Sequence, residues 1–127
     1  MANTLFDIGR EGFLAGEIDW DTATIKVSLV RSYTLNQAHK FVSDLTGAGG
    51  VLVATSIALS SKVVTSGIAD AADITFSLVA SGAAITSVII YQSSAVGGGA
   101  DVAATAQRLI VFSDTATGLP VTQRVNS

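Results

Sequence analysis

Cysteine is absent from this chain of 127 residues, and histidine occurs once, at His39. A disulfide framework, a cysteine-based zinc site and a catalytic thiol are therefore excluded, and nucleophilic triads and the usual zinc sites fail for lack of residues. His39 stands beside Lys40 in the polar stretch Asn36-Gln37-Ala38-His39-Lys40 and reads as a solvated loop residue. Charge is also scarce: 13% of residues are charged against 49% hydrophobic, where about a quarter is usual. That balance argues against disorder, which needs low hydrophobicity and high net charge. A net charge of −3 and basic residues scattered over Arg10, Lys26, Arg31, Lys40, Lys62, Arg108 and Arg124 leave no basic stripe for a nucleic acid.

A leader pattern is missing as well. MANTLFDIGREGF mixes charges with single apolar residues and has no basic stretch followed by an apolar run. The longest uncharged stretch, Ile74 to Ala100, exceeds the length of a membrane span, but it is built of Ser, Thr, Ala and Gly and ends in Gly97-Gly98-Gly99. It reads as strands, and the chain is expected to be soluble with no membrane partner.

What is present is patterned. Thr4-Leu5-Phe6-Asp7 fits a Thr-x-x-acid helix start, Leu5, Ile8 and Phe13 recur at helical spacing, and Gly16 is a plausible stop. This predicts a helix over Thr4 to Gly16, weakened by Gly9 and Gly12 at about 1 kcal/mol each relative to Ala. The period then changes to two. In Thr24-Ile25-Lys26-Val27-Ser28-Leu29, Ile25, Val27 and Leu29 are expected inward and Thr24, Lys26 and Ser28 outward. A helical turn is expected near Phe41 to Leu45. Val51 to Ala58 and Lys62 to Gly67 read as strands joined by a Ser60-Ser61 turn, and Asp70-Ala71-Ala72-Asp73 as a turn closed by Asp side chains. Ile74 to Leu78 alternates again. Ser87 to Tyr91 suits a central strand buried on both sides, Arg108 to Phe112 is another strand, and Leu119 to Val125 is a candidate edge strand with Pro120 at its start.

Six or seven short strands near ten-residue spacing predict an all-β fold. The expectation is an antiparallel β-sandwich, jelly-roll or Ig-like, with one short N-terminal helix. The chain is then one domain over 1–127, with 1–16 as helix or arm and 22–127 as sandwich. The Gly/Ala-rich run Ala95 to Ala106 is expected either to order on a partner subunit or to form a mobile surface loop.

Candidate chemistry is thin. Glu17, Asp19 and Asp21 cluster around Trp20, and alternating acids in a loop can offer oxygen ligands to Ca²⁺ or a glycosidase-like carboxyl pair. The EF-hand spacing is absent, so a solvated turn with Trp20 plugging the core is preferred. Gly97-Gly98-Gly99 lacks the Lys-Ser/Thr of a phosphate loop. No catalytic, cofactor-binding or metal-binding residue is assigned, no cofactor is expected, and the chain is expected not to be an enzyme. A surface this poor in charge suits extensive contacts with other subunits, because charge depletion marks interface cores.

The order of segments resembles a family of small virion proteins from the structural modules of tailed bacteriophages. The resemblance lies in the opening segment Thr4 to Gly16 with Glu17-Ile18-Asp19-Trp20, the strand Thr24 to Val30, and Lys40-Phe41-Val42-Ser43-Asp44-Leu45. It continues in Ala69 to Phe76 and in Ser87 to Tyr91 followed by Phe112 to Thr122. The chain departs from the pattern after Tyr91, where Gln92-Ser93-Ser94-Ala95 and the Gly/Ala run replace a Lys-Asp-type turn. The resemblance implies a capsid decoration (cement) protein on the head surface, formed in the host cytoplasm, with the major capsid protein and its own copies, as homotrimer or homodimer, for partners. The 1–16 segment would serve as docking arm. The alternatives are a tail or neck component and a carbohydrate-binding adsorption module. Sugar sites favour aromatic platforms, and beyond five Phe this chain offers Trp20, Tyr33 and Tyr91.

Overall fold

The structure is a computed structural model that describes residues 3–74, 76 and 84–115. Its strands pair antiparallel throughout, so the molecule is mostly antiparallel β-sheet with little helix. The main sheet contains β1 (Asn3–Leu5), β2 (Ile25–Arg31), β3 (Val51–Thr55), β6 (Ser87–Gln92) and β9 (Arg108–Ser113), in the spatial order β1-β9-β6-β2-β3. Two ribbons stand apart from it: β4 (Val63–Thr65) with β5 (Ile68–Asp70), and β7 (Ser94–Ala95) with β8 (Gly98–Asp101). The chain also forms α1 (Asp7–Ala15), α2 (Val42–Gly47) and a single 3₁₀ turn over Ala104–Ala106.

β6 is the central strand, as expected from its apolar run. Ile89 lies opposite Phe112 and Tyr91 opposite Leu109, and with Val30 they form one face of the sheet. Val42 and Leu45 of α2, together with Tyr33, Phe6 and Ile8, cover that face. On the opposite face Ile25 and Ile110 pack with Ile18 and Ala23. Because both faces carry cover, strict alternation fails in β2. Ser28 is fully buried and shares a 2.8 Å hydrogen bond with the Thr55 hydroxyl, whereas Leu29 is only half-buried. Small hydroxyls replace charge inside this protein. Ser56 Oγ accepts from Val27 N–H at 2.9 Å, and Ser94 Oγ accepts from Thr24 N–H at 2.9 Å while donating to the Ala95 carbonyl. Each such bond meets a backbone group that burial would otherwise leave unpaired.

The N-terminus differs from expectation. Thr4 lies in β1, which pairs with β9, and the helix begins only at Asp7. Phe6, fully buried between the two elements, takes the N-cap position without a side-chain cap, and its N–H donates to the Ile110 carbonyl. Gly16 ends the helix in the left-handed region at φ 76°, as its position predicted.

The Gly/Ala run also differs. It folds back on its own chain as the β7–β8 hairpin, where the Thr24 hydroxyl donates to the Gly99 carbonyl and Lys26 pairs with Asp101 at 2.7 Å. Gly98 has φ +90°, and a Cβ there would stand 2.5 Å from the Thr22 carbonyl oxygen, so only glycine permits this approach. The strands expected over Ile74 to Leu78 and Leu119 to Val125 fall largely or wholly outside the described residues.

α2 is held at its start by Asp44, whose Oδ2 accepts from the backbone N–H groups of Lys40 (2.9 Å) and Phe41 (3.0 Å). These bonds hold the Asp44 carboxyl below the usual carboxylate range. A carboxyl depressed in the folded state stabilises above its unfolded pKa, near 4, and loses that contribution as pH falls through the folded value. Asp44→Ala removes the two bonds to the Lys40 and Phe41 N–H groups and should cost about 1 kcal/mol at pH 7. Urea denaturation at pH 7 and again below the folded pKa should show the gap between wild type and variant shrinking in acid.

Candidate interaction surface

The three acids singled out in the sequence do not converge. Glu17 turns away to pair with Arg108, while Asp19 and Asp21 lie beside each other at the entry to β2, where the Thr22 N–H donates to Asp19 Oδ1 at 3.4 Å. The Thr22 side chain and then Asp21 hold the Asp19 carboxyl down, and the adjoining, negatively charged Asp19 pushes Asp21 up. Lys62 faces the pair, but its Nζ also donates to the Ala23 carbonyl, and desolvation lowers its pKa. Two carboxyls thus share one ammonium. His39, expected to be a solvated loop residue, is half-buried and joined by Nδ1 to the Tyr33 hydroxyl at 2.7 Å, so it staples the loop over the core. Gly97-Gly98-Gly99 sits in the β7–β8 hairpin, with Gly98 against the Thr22 carbonyl. Asp70, expected to open a turn, instead ends β5, and its carboxylate accepts from Ala71 N–H at 2.8 Å.

Sequence reasoning missed the feature beside this acidic turn. Ser66 and Gly67 both have positive φ (53° and 77°), which gives the two-residue turn favoured in tight hairpins, and Thr65 pairs with Ile68 across it. The strand expected over Lys62 to Gly67 thus pairs forward with β5 and not back with β3. Every residue of β4 and β5 is exposed, including Val63, Val64 and Ile68 at 50%, 57% and 67%. Phe13 and Leu14 at the end of α1 and Ile57 add further exposed apolar surface. The only available signal was the β-branched run Val63-Val64-Thr65 ahead of Ser66-Gly67.

Between hairpin and body runs a groove of about 430 Å³, with Phe13, Ile18, Trp20, Val64 and Ala69 in its walls and Asp19 and Asp21 at its rim. Trp20 packs on the Ile18–Ile110 cluster and its indole N–H donates to the Asp70 carbonyl at 3.2 Å. Its place on the core agrees with the reading as a plug, and the hydrogen bond adds a tie that fixes the hairpin base. Comparison with protein-family models, with curated proteins and with solved structures finds no match. Among the described residues, the geometry defines a β-protein with an exposed apolar hairpin.

Proposed function

We propose that this chain is a non-enzymatic structural virion protein of a tailed bacteriophage, a decoration protein that sits on the outside of the head and stabilises it. The observation that carries this reading is the β4–β5 hairpin, which holds three half-exposed or more exposed β-branched residues on a chain with 13% charge. A free surface seldom keeps such a patch, whereas an interface core consists of it. The resemblance in segment order supplies the virion context, with the major capsid protein as partner and the protein's own copies, two or three, around a symmetry axis.

The mechanism is mechanical. Each apolar Å² buried at a junction of capsid subunits contributes on the order of 25 cal/mol before association costs, and a symmetric shell repeats the gain many times. The β-sandwich belongs to this proposal too. Leu29, Val88, Ile90 and Val111 leave part of the face that carries Ile25 and Ile110 apolar and only partly buried, which suits a face that receives more of a second layer.

Gold-labelled antibody on intact virions tests the assignment. Label over the head is the expected result, and heads of a deletion phage should then release their DNA at lower temperature. Label confined to tail or neck, or none on the virion, overturns it.

A further inference from the structure

The groove under the hairpin has a chemical signature beyond its apolar walls. Its lining includes two neighbouring carboxyls, Asp19 and Asp21, and the one ammonium near them, Lys62, is tied to the Ala23 carbonyl. Net negative charge at the mouth disfavours a nucleic acid, an anionic lipid surface or any other phosphate-bearing partner. A second copy of this chain would bring its own Asp19 and Asp21 to the contact if it docked through the same face. A cation from a partner would meet unneutralised charge.

The groove is also preformed, because the Trp20–Asp70 hydrogen bond and the turn at Ser66-Gly67 fix its two walls. A preformed slot lowers the ordering cost of binding. The walls present small and flat groups, Ala69, Gly67 and the Trp20 ring, beside Val64 and Phe13, which suits a narrow, extended backbone better than a helix. In an extended segment, side chains two residues apart point the same way, about 7 Å apart.

We propose that this groove binds an extended segment of a partner protein in which an apolar side chain enters between Trp20 and Val64 and a Lys or Arg two residues away reaches Asp19 and Asp21. This rests on the assembly reading above, and names the chemistry that the capsid partner must present.

The chain's one tryptophan, Trp20, makes the test direct. Full-length protein carrying 5-fluorotryptophan is titrated with the peptide Ser-Val-Ser-Lys-Ser-Val-Ser and with its Lys→Glu counterpart, and the fluorine resonance is followed. The Lys peptide should shift the resonance saturably, and the Glu peptide should leave it unmoved. The double variant Asp19→Asn, Asp21→Asn replaces polar surface groups isosterically. It should bind the Lys peptide about fivefold more weakly and with less salt dependence. Val64→Asp should abolish the shift while the circular dichroism spectrum is retained. Equal response to both peptides, or none to either, overturns the proposal, as does a shift on concentrating the protein alone, which would make a second copy the occupant. Decoration of heads lacking the protein is measured in parallel. Decoration with an unchanged Trp20 signal sinks the groove and leaves the capsid reading standing, whereas peptide binding without decoration does the reverse.

Discussion

Phe6→Ala should be the most damaging single substitution within the first sixteen residues, lowering stability by about 3–5 kcal/mol. Phe6 is fully buried and packs in the cluster that holds Val30, Ile89, Leu109 and Phe112. It joins β1 to α1, with its N–H on the Ile110 carbonyl and its own carbonyl accepting from Gly9 and Arg10 N–H. Those backbone bonds hold the position of the side chain, so the walls are poorly placed to collapse into the space a truncation leaves. Total stability is commonly 5–15 kcal/mol, and the variant would sit near the edge of folding. Thermal unfolding should drop by on the order of 10 °C or more. The same reasoning bears on the N-terminal docking arm that the sequence suggested. A chain beginning near Glu17 loses Phe6, Ile8 and the edge strand β1 together. It should fail to fold cooperatively by urea titration, and poor decoration by that truncation would report on folding before docking. Leu14→Ser, at a side chain 90% exposed, is the corresponding control and should leave stability unchanged within about 0.5 kcal/mol.

The legible parts of this fold were those in which one physical signal dominated. Ser87 to Tyr91 carries the β-branched run Val88-Ile89-Ile90 followed by an aromatic, and it became the middle strand of the main sheet. Gly16 was readable because a left-handed residue after a helix is a glycine problem with few other solutions. Reading failed where burial came from both sides. Ser28 looked outward by alternation, but α2 and the Tyr33 loop cover its face, and a second hydroxyl from Thr55 was needed to satisfy it. That partner is 27 residues away in sequence. The β7–β8 hairpin was hidden for a related reason. Its glycines signal freedom locally, whereas Gly98 is used for a close approach to Thr22 that only the folded chain reveals. The acidic turn was found as a cluster, but which of its members pair was not readable, because Arg108 and Lys62 reach it from distant strands and loops. The groove beside it combines α1, the turn and a hairpin, and no local pattern announces such a juxtaposition.

Gly9→Ala is the substitution for which sequence and structure predict opposite signs. From helix propensity alone, replacing a glycine inside α1 should stabilise by about 1 kcal/mol. In the fold, a Cβ on Gly9 would stand 2.8 Å from the Ile110 carbonyl oxygen and 3.1 Å from its Cα. Both atoms belong to the backbone of β9, and that carbonyl already accepts the Phe6 N–H at 2.9 Å. No rotamer change relieves the clash. Either the helix lifts off the strand, loosening Ile8 and Phe6, or the β9 backbone moves and the bond to Phe6 lengthens. Overpacking of this kind costs about 1–3 kcal/mol and exceeds the propensity gain, so the variant should be less stable by about 1–2 kcal/mol. Two other glycines calibrate the result. At Gly12 the obstructing atoms are Cδ1 and Cγ1 of the Ile18 side chain, at 2.4 and 2.6 Å, which can shift about χ1 as the β9 backbone cannot, so Gly12→Ala should be milder than Gly9→Ala. At Gly47 no atom lies within 4 Å and φ is not positive, so Gly47→Ala should be neutral or stabilising by up to about 1 kcal/mol. Urea denaturation of the three variants should rank them Gly47, Gly12, Gly9 in falling stability. If Gly9→Ala proved as stable as Gly47→Ala, α1 would not lie on β9 as closely as this structure places it.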